Sequence, residues 1–260
     1  MPWELLYLPL LLPAFMLVFL RISAMLMSAP IFAAAAVPVR IRIAFGLVLS
    51  FMMFPLVVPT LPAKLTLADA VGAIAGELVI GITLGLGIGL IFIGAQLCGF
   101  LIGHESGLGI GQVFNPVMET QTTILGQLFF FLALTAFLAI GGLGALVKSL
   151  LDSFATMPPM TFTFSERVPE VLLTLLQMAM TVGIRLAAPA MVALFLISIA
   201  MGFLAKTIPQ LNILTIGFAI RVVVGLVITI LSLNGVEDVF VTALDDGFAL
   251  LRETFAVGRT

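Results

Sequence analysis

Charge is scarce in this chain of 260 residues: Asp, Glu, Lys and Arg make up 9% of it, against 62% hydrophobic residues. Soluble domains run at about 25% charged and about 45–50% apolar, so a globule covered by polar surface is excluded. A basic excess is lacking too, and the formal net charge of -2 argues against a nucleic-acid partner. The single cysteine, Cys98, cannot close a disulfide within the chain and reads as a small buried hydrophobe. There is one histidine, His104. In HESGL, Leu108 stands where an H-E-x-x-H site needs its second histidine, and catalytic zinc needs three protein ligands. No G-x-S-x-G elbow is present, so the chain reads as a non-enzyme without metal or cofactor. No basic residue precedes Arg21, and Glu4 lies near the start, so the N-terminal segment lacks the positive region of a cleaved signal and reads as retained. The short alternating segments of a transmembrane β-barrel are also missing.

What is present is long continuous apolar sequence, with a mean hydropathy of +1.31. One span takes roughly 20 apolar residues, and runs occupy about Leu5–Met27, Ile41–Leu61, Ala70–Gly103, Thr122–Val147, Val171–Leu204 and Ile213–Leu233. This predicts an all-α, polytopic membrane-type protein with broken helices, one helical body over 1–260. Pro189 inside the fifth run should kink or interrupt its helix. Residues 234–260, with GVEDVF and LDDGFALLRET, form an amphipathic, acidic segment expected at a water interface. With the N-terminus inside and six simple spans, Lys64, Lys148, Arg167, Arg252 and Arg259 share one side, which the positive-inside rule favours only slightly over Arg40, Arg42 and Lys206 on the other.

Three features carry functional meaning. Gly81, Gly85 and Gly89, with Gly103 and Gly107 further on, recur at four-residue spacing. Such a stripe lets helices approach closely in lipid, as subunit packing either inside the chain, the plainer reading, or against other subunits. Arg21, Glu77, Arg185 and Arg221 are charges embedded in apolar sequence; facing lipid they are costly, so they pair within the chain or at an interface. Residues 104–123, from HESGLGIGQVFNP onward, interrupt two uncharged runs with glycines and the apolar Ile110, Val113 and Phe114. Irregular backbone at membrane depth is tolerated where it is buried in protein or lines a cavity, and apolar side chains at a constriction close a pore by dewetting. A simple connector is the plainer reading. In KTIPQLNIL, Pro209, Gln210 and Asn212 predict a turn between two helices.

The chain resembles the FliR family of type III export-gate proteins. The resemblance is carried by FLRISAMLMSAPIFAAAAVPVRIRIAFG, with Arg21, Ala29-Pro30, Pro38 and Arg40; by Gly81, Gly85, Gly99, Gly103, Gly107-Leu108 and Pro116; and by DSFATMP at Asp152–Pro158, Pro189, and KTIPQLNILTIGFAIR at Lys206–Arg221. It runs from roughly Phe19 to Leu226. Glu105, Asn115 and Ala219 depart from the residues that many relatives have there. The resemblance implies a bacterial inner-membrane subunit of the flagellar basal body, shaped like a fused FliP-plus-FliQ unit. It implies assembly with FliP and FliQ, contact with FlhB and FlhA type components, export of unfolded polypeptides, and a plug formed by the loop at Ile110, Val113 and Phe114. It also implies that much of such a gate sits above the bilayer plane. An injectisome subunit is the nearest alternative. Broken helices with intramembrane charges also suit a secondary transporter, although no internal repeat is visible, and a purely structural scaffold subunit is a third reading.

Overall fold

The computed structural model describes residues 8–33, 37–57, 67–108, 123–160, 167–208 and 213–256. Among them every regular element is helical: α1 (Leu8–Ser28), α2 (Pro30–Ala33), α3 (Val39–Val57), α4 (Leu67–Glu105), α5 (Ile124–Ala139), α6 (Gly142–Thr156), α7 (Arg167–Thr207) and α8 (Ile213–Ala256). Among the described residues four helices are long and apolar enough to cross a membrane, or five if the two either side of a break count as one span. The shorter apolar helix Leu12–Ser28 lies in the first of the six predicted runs. The run at Thr122–Val147 breaks at Gly141, whose φ of 74° is a left-handed conformation that glycine adopts without steric penalty. Beyond the break, α6 acquires a polar stripe with Ser149 and Ser153 buried.

Two long runs do not break. Helix α7 passes through Pro189, so the interruption branch of the expectation is corrected. A proline removes one backbone bond, to the carbonyl four residues earlier, and helices packed in a membrane tolerate that loss; Ala187 and Ala190 beside it are fully buried. Helix α8 continues through Asn234 to Ala256. Its last part keeps the amphipathic pattern, with Phe240, Leu244, Phe248 and Leu251 buried and Asp238, Asp245, Asp246 and Glu253 exposed.

The chain divides into two compact units. The first holds Met1–Leu90, Gly141–Leu175 and Asp245–Thr260. Here α1 packs on α3, with the Phe15 ring edge-on to Phe51 and Phe54 at 6.3 and 5.5 Å. The other side of α1 lies against α4, and the glycine stripe makes that contact. A Cβ on Gly81 would stand 2.7 Å from Ala24 Cβ, and one on Gly85 2.8 Å from the Ala29 amide nitrogen. At Gly89 it would reach 3.3 Å from Pro30. Of the two readings of the stripe, packing inside the chain is the one seen at Gly81, Gly85 and Gly89: their faces meet α1 and Ala29 and Pro30 of the same chain.

The second unit holds Ile91–Ile140 and Leu176–Leu244. Its core is an aromatic cluster in which Phe92 meets Phe130, Phe137 and Phe240 at 5.7, 5.6 and 5.4 Å. Helices α4 and α7 cross at small residues: Gly94 lies against the Ala179 backbone, and Gly183 against the Gly94 carbonyl.

Burial differs sharply between the spans. Val71–Glu105 is 67% buried within the chain, whereas Val39–Val57 and Thr215–Ser232 are only 17% buried. The outer helices thus present continuous apolar surface to lipid or to other protein.

Gly85→Ala should push α1 away from α4, because the obstructing atoms include the Met25 carbonyl and the Ala29 nitrogen, which are backbone. Overpacking of this kind costs about 1–3 kcal/mol, and the variant should melt earlier in detergent. Gly72→Ala, where a Cβ meets nothing within 4 Å, should be neutral or stabilise by up to about 1 kcal/mol. Equal melting of the two variants would show that the stripe is not a packing surface.

Candidate functional site

Arg21 is fully buried and lies near the middle of the apolar α1. A bare guanidinium there would be prohibitive, and the structure surrounds it with acceptors. Its Nε donates to Glu77 Oε2 at 2.5 Å, and the two side chains are 0% and 1% exposed. Nη1 donates to the Ser153 carbonyl at 3.0 Å and to Ser153 Oγ at 3.2 Å; Nη2 donates to the Met157 carbonyl at 3.0 Å. The guanidinium carbon also sits 4.2 Å from the centre of the Phe154 ring, a cation–π contact. Ser153 and Met157 lie in the last turn and C-cap of α6, where carbonyls lack helical partners and the helix dipole favours a cation. One side chain thereby ties α1, α4 and the end of α6 together. The second oxygen of Glu77, Oε1, is buried without a hydrogen-bond partner.

In the second unit, both stems of the 104–123 loop are anchored. Helix α4 ends at Glu105, and just beyond it Gly107, with a φ of 82°, turns the chain and donates its N–H to the His104 carbonyl at 3.1 Å. The preceding Ser106 is buried, and its hydroxyl donates to the Gly103 carbonyl at 3.2 Å. On the far stem, Thr123 caps α5: its Oγ1 accepts from the Gly126 N–H at 3.0 Å and donates to the Gly99 carbonyl at 3.3 Å. Glycine makes this approach possible. A Cβ on Gly99 would overlap the backbone of Leu125 and Gly126, and one on Gly103 would come within 3.3 Å of Thr123. Gly103 and Gly107 thus hold the loop stems within this chain. Ile110, Val113 and Phe114 lie outside the described residues, as do Pro209, Gln210 and Asn212; α7 ends at Thr207 and α8 begins at Ile213.

The four embedded charges separate into two kinds. Arg21 and Glu77 form the buried pair. Arg185 is exposed midway along α7. Arg221 is half-buried in the wall of a cavity of about 660 Å³, and its Nε is buried with no hydrogen-bond partner. His104 is exposed and stacks on Phe100, with ring centroids 6.0 Å apart. Among the described residues no group of three His, Cys, Asp or Glu side chains is placed to hold a metal ion.

Sequence reasoning missed Thr123, Ser106 and the acceptors of Arg21. A threonine just before an apolar run is a helix-start signal, so Thr123 was detectable. The carbonyls of Ser153 and Met157 are backbone groups and leave no mark in a sequence, although DSFATMP contains them.

The chain matches the family "Bacterial export proteins, family 1" over residues 12–247. It is 29% identical over 228 residues to a "Flagellar biosynthetic protein FliR" of Caulobacter vibrioides, covering 86% of this chain and 90% of the relative. The protein of the same name from Pectobacterium carotovorum is 30% identical, with 80% and 79% covered. The "Secretion system apparatus protein SsaT" of Salmonella typhimurium is 23% identical, with 71% of each chain covered.

Removing one partner of a buried ion pair leaves the other charge uncompensated, at about 3–5 kcal/mol. Arg21→Met should therefore lower the amount of folded protein and its melting temperature. Adding Glu77→Met should restore much of the loss, because a well-packed apolar replacement of both partners is often neutral. If Arg21→Met alone melts like the unmodified protein, the node does not hold the helices together.

Proposed function

We infer the function from one premise: this chain belongs to the bacterial export proteins, family 1. It is a membrane-embedded structural component of the flagellar type III export apparatus, a subunit of its protein export gate. The observation that carries this is the family match, which runs from residue 12 to residue 247 and so spans both units and most helices. The flagellar assignment follows the higher identity and coverage of the flagellar relatives over the SsaT relative.

In finer detail, the chain sits in the bacterial inner membrane within the basal body and assembles with FliP and FliQ type subunits, beside FlhA and FlhB type components. Unfolded polypeptides pass through the assembly. The barely buried spans Val39–Val57 and Thr215–Ser232 support an assembled state, since they leave wide apolar faces for neighbouring protein. The plug is the loop between the two anchored stems. A loop fixed at Gly107 and Thr123 can present Ile110, Val113 and Phe114 at a defined place, and apolar side chains at a constriction exclude water and ions until a substrate displaces them.

Replacing Ile110, Val113 and Phe114 together by serine should raise passive ion leakage in cells, because a polar constriction wets more readily. The assembled complex should be recovered in near-normal yield, since the stems and helices are untouched. Unchanged leakage from a normally assembled triple variant would place the seal in other subunits and leave this loop a connector.

A further inference from the structure

We propose that the cavity around Arg221 receives an acidic side chain, set in an apolar segment, from a neighbouring subunit of the export assembly. The proposal rests on the reading of this chain as a gate subunit. The cavity, about 660 Å³, lies between the end of α4, the last turns of α7 and the start of α8, with Ser106, Met201, Ala205, Gly217 and Phe218 in its wall beside Arg221. All of these residues belong to the second unit.

The first argument is charge. Glu77 already serves Arg21, and among the described residues no acid pairs with Arg221, whose Nε is buried and unpartnered. Arg221 is half-buried, with its Nε out of water, and a cation set beside an apolar wall is stabilised by a counter-charge. The group that complements this cation is an anion, and among the described residues none is placed there.

The second argument is donor count. Ser106 Oγ already donates to the Gly103 carbonyl at 3.2 Å, and Ser198 Oγ donates to the Leu194 carbonyl at 2.8 Å. Their protons are taken, which leaves the planar guanidinium fork as the chief free donor. That fork matches a carboxylate through paired N–H···O bonds, and the reading of this chain as a gate subunit favours a neighbouring subunit's carboxylate over a lipid phosphate head.

The third argument is the surroundings. The wall is mostly apolar and adaptable at Met201, and a Cβ on Gly202 would meet nothing within 4 Å, so there is room for more than a single carboxylate. The two helices that wall the cavity, α7 and α8, also carry exposed Phe195, Phe203, Leu204, Ile216 and Val223. A carboxylate on an apolar helix or turn satisfies both the cation and these apolar side chains.

The test places a photo-crosslinking residue at Ala205 in an otherwise native full-length chain, expressed with its own export system. The expected adduct joins this chain to another membrane subunit at a peptide containing Asp or Glu. In parallel, Arg221→Glu should cut export by about tenfold or more, the scale set by breaking a buried charge pair. Motile revertants should replace an acid of that same subunit by a neutral or basic residue. Crosslinks to lipid alone, or wild-type export by Arg221→Glu, would overturn the proposal while leaving the gate assignment standing. A chain recovered with no other membrane subunit would overturn both.

Discussion

The guanidinium of Arg21 is the group on which the first unit depends. In lipid, no hydrophobic drive holds one apolar helix to another, so close packing and polar contacts must do it. Arg21 joins three helices through Glu77, Ser153 and Met157, but only because other features bring them within reach. Gly81 and Gly85 let α1 lie almost backbone to backbone on α4. The end of α6 offers carbonyls that its own helix cannot use. Glycine stripe, ion pair and helix end therefore form one mechanical device, and each loses its purpose without the other two.

The helical class and the membrane setting were legible from composition, because 62% apolar residues in long uncharged runs allow no other compact solution. Four-residue glycine spacing marked a close-packing helix face, but periodicity says nothing of what the face touches, so the sequence left packing inside the chain and against other subunits both open, and α1 fills the face. The embedded charges were legible as a need for partners. The pairing of Arg21 with a residue 56 positions away was not, since Glu77, the one acid among the four, was equally available to Arg185 and Arg221. Hydropathy also carried the fourth run across Gly141, because a left-handed glycine changes the chain's direction without changing its polarity. The apolar loop residues and the turn at Pro209 lie outside the described residues, and their roles stand as proposals.

The outer surface links this architecture to export. A self-sufficient membrane protein would bury its intramembrane charges and leave only apolar faces to lipid. Here one pair is buried and fully used, while Arg185 and Arg221 face outward or into an open cavity. Together with the barely buried α3 and the first part of α8, they describe a part cut to fit others. The anchored stems at Gly107 and Thr123 add a fixed mounting for a loop that a conduit can use as its stopper.

Membership in a mixed assembly is the central claim, and native mass spectrometry of the tagged chain, extracted gently from its own membranes, tests it most directly. The account predicts a complex of defined mass in which this chain is accompanied by different membrane subunits. A folded, monodisperse monomer or homo-oligomer, with no other membrane protein attached, would contradict it.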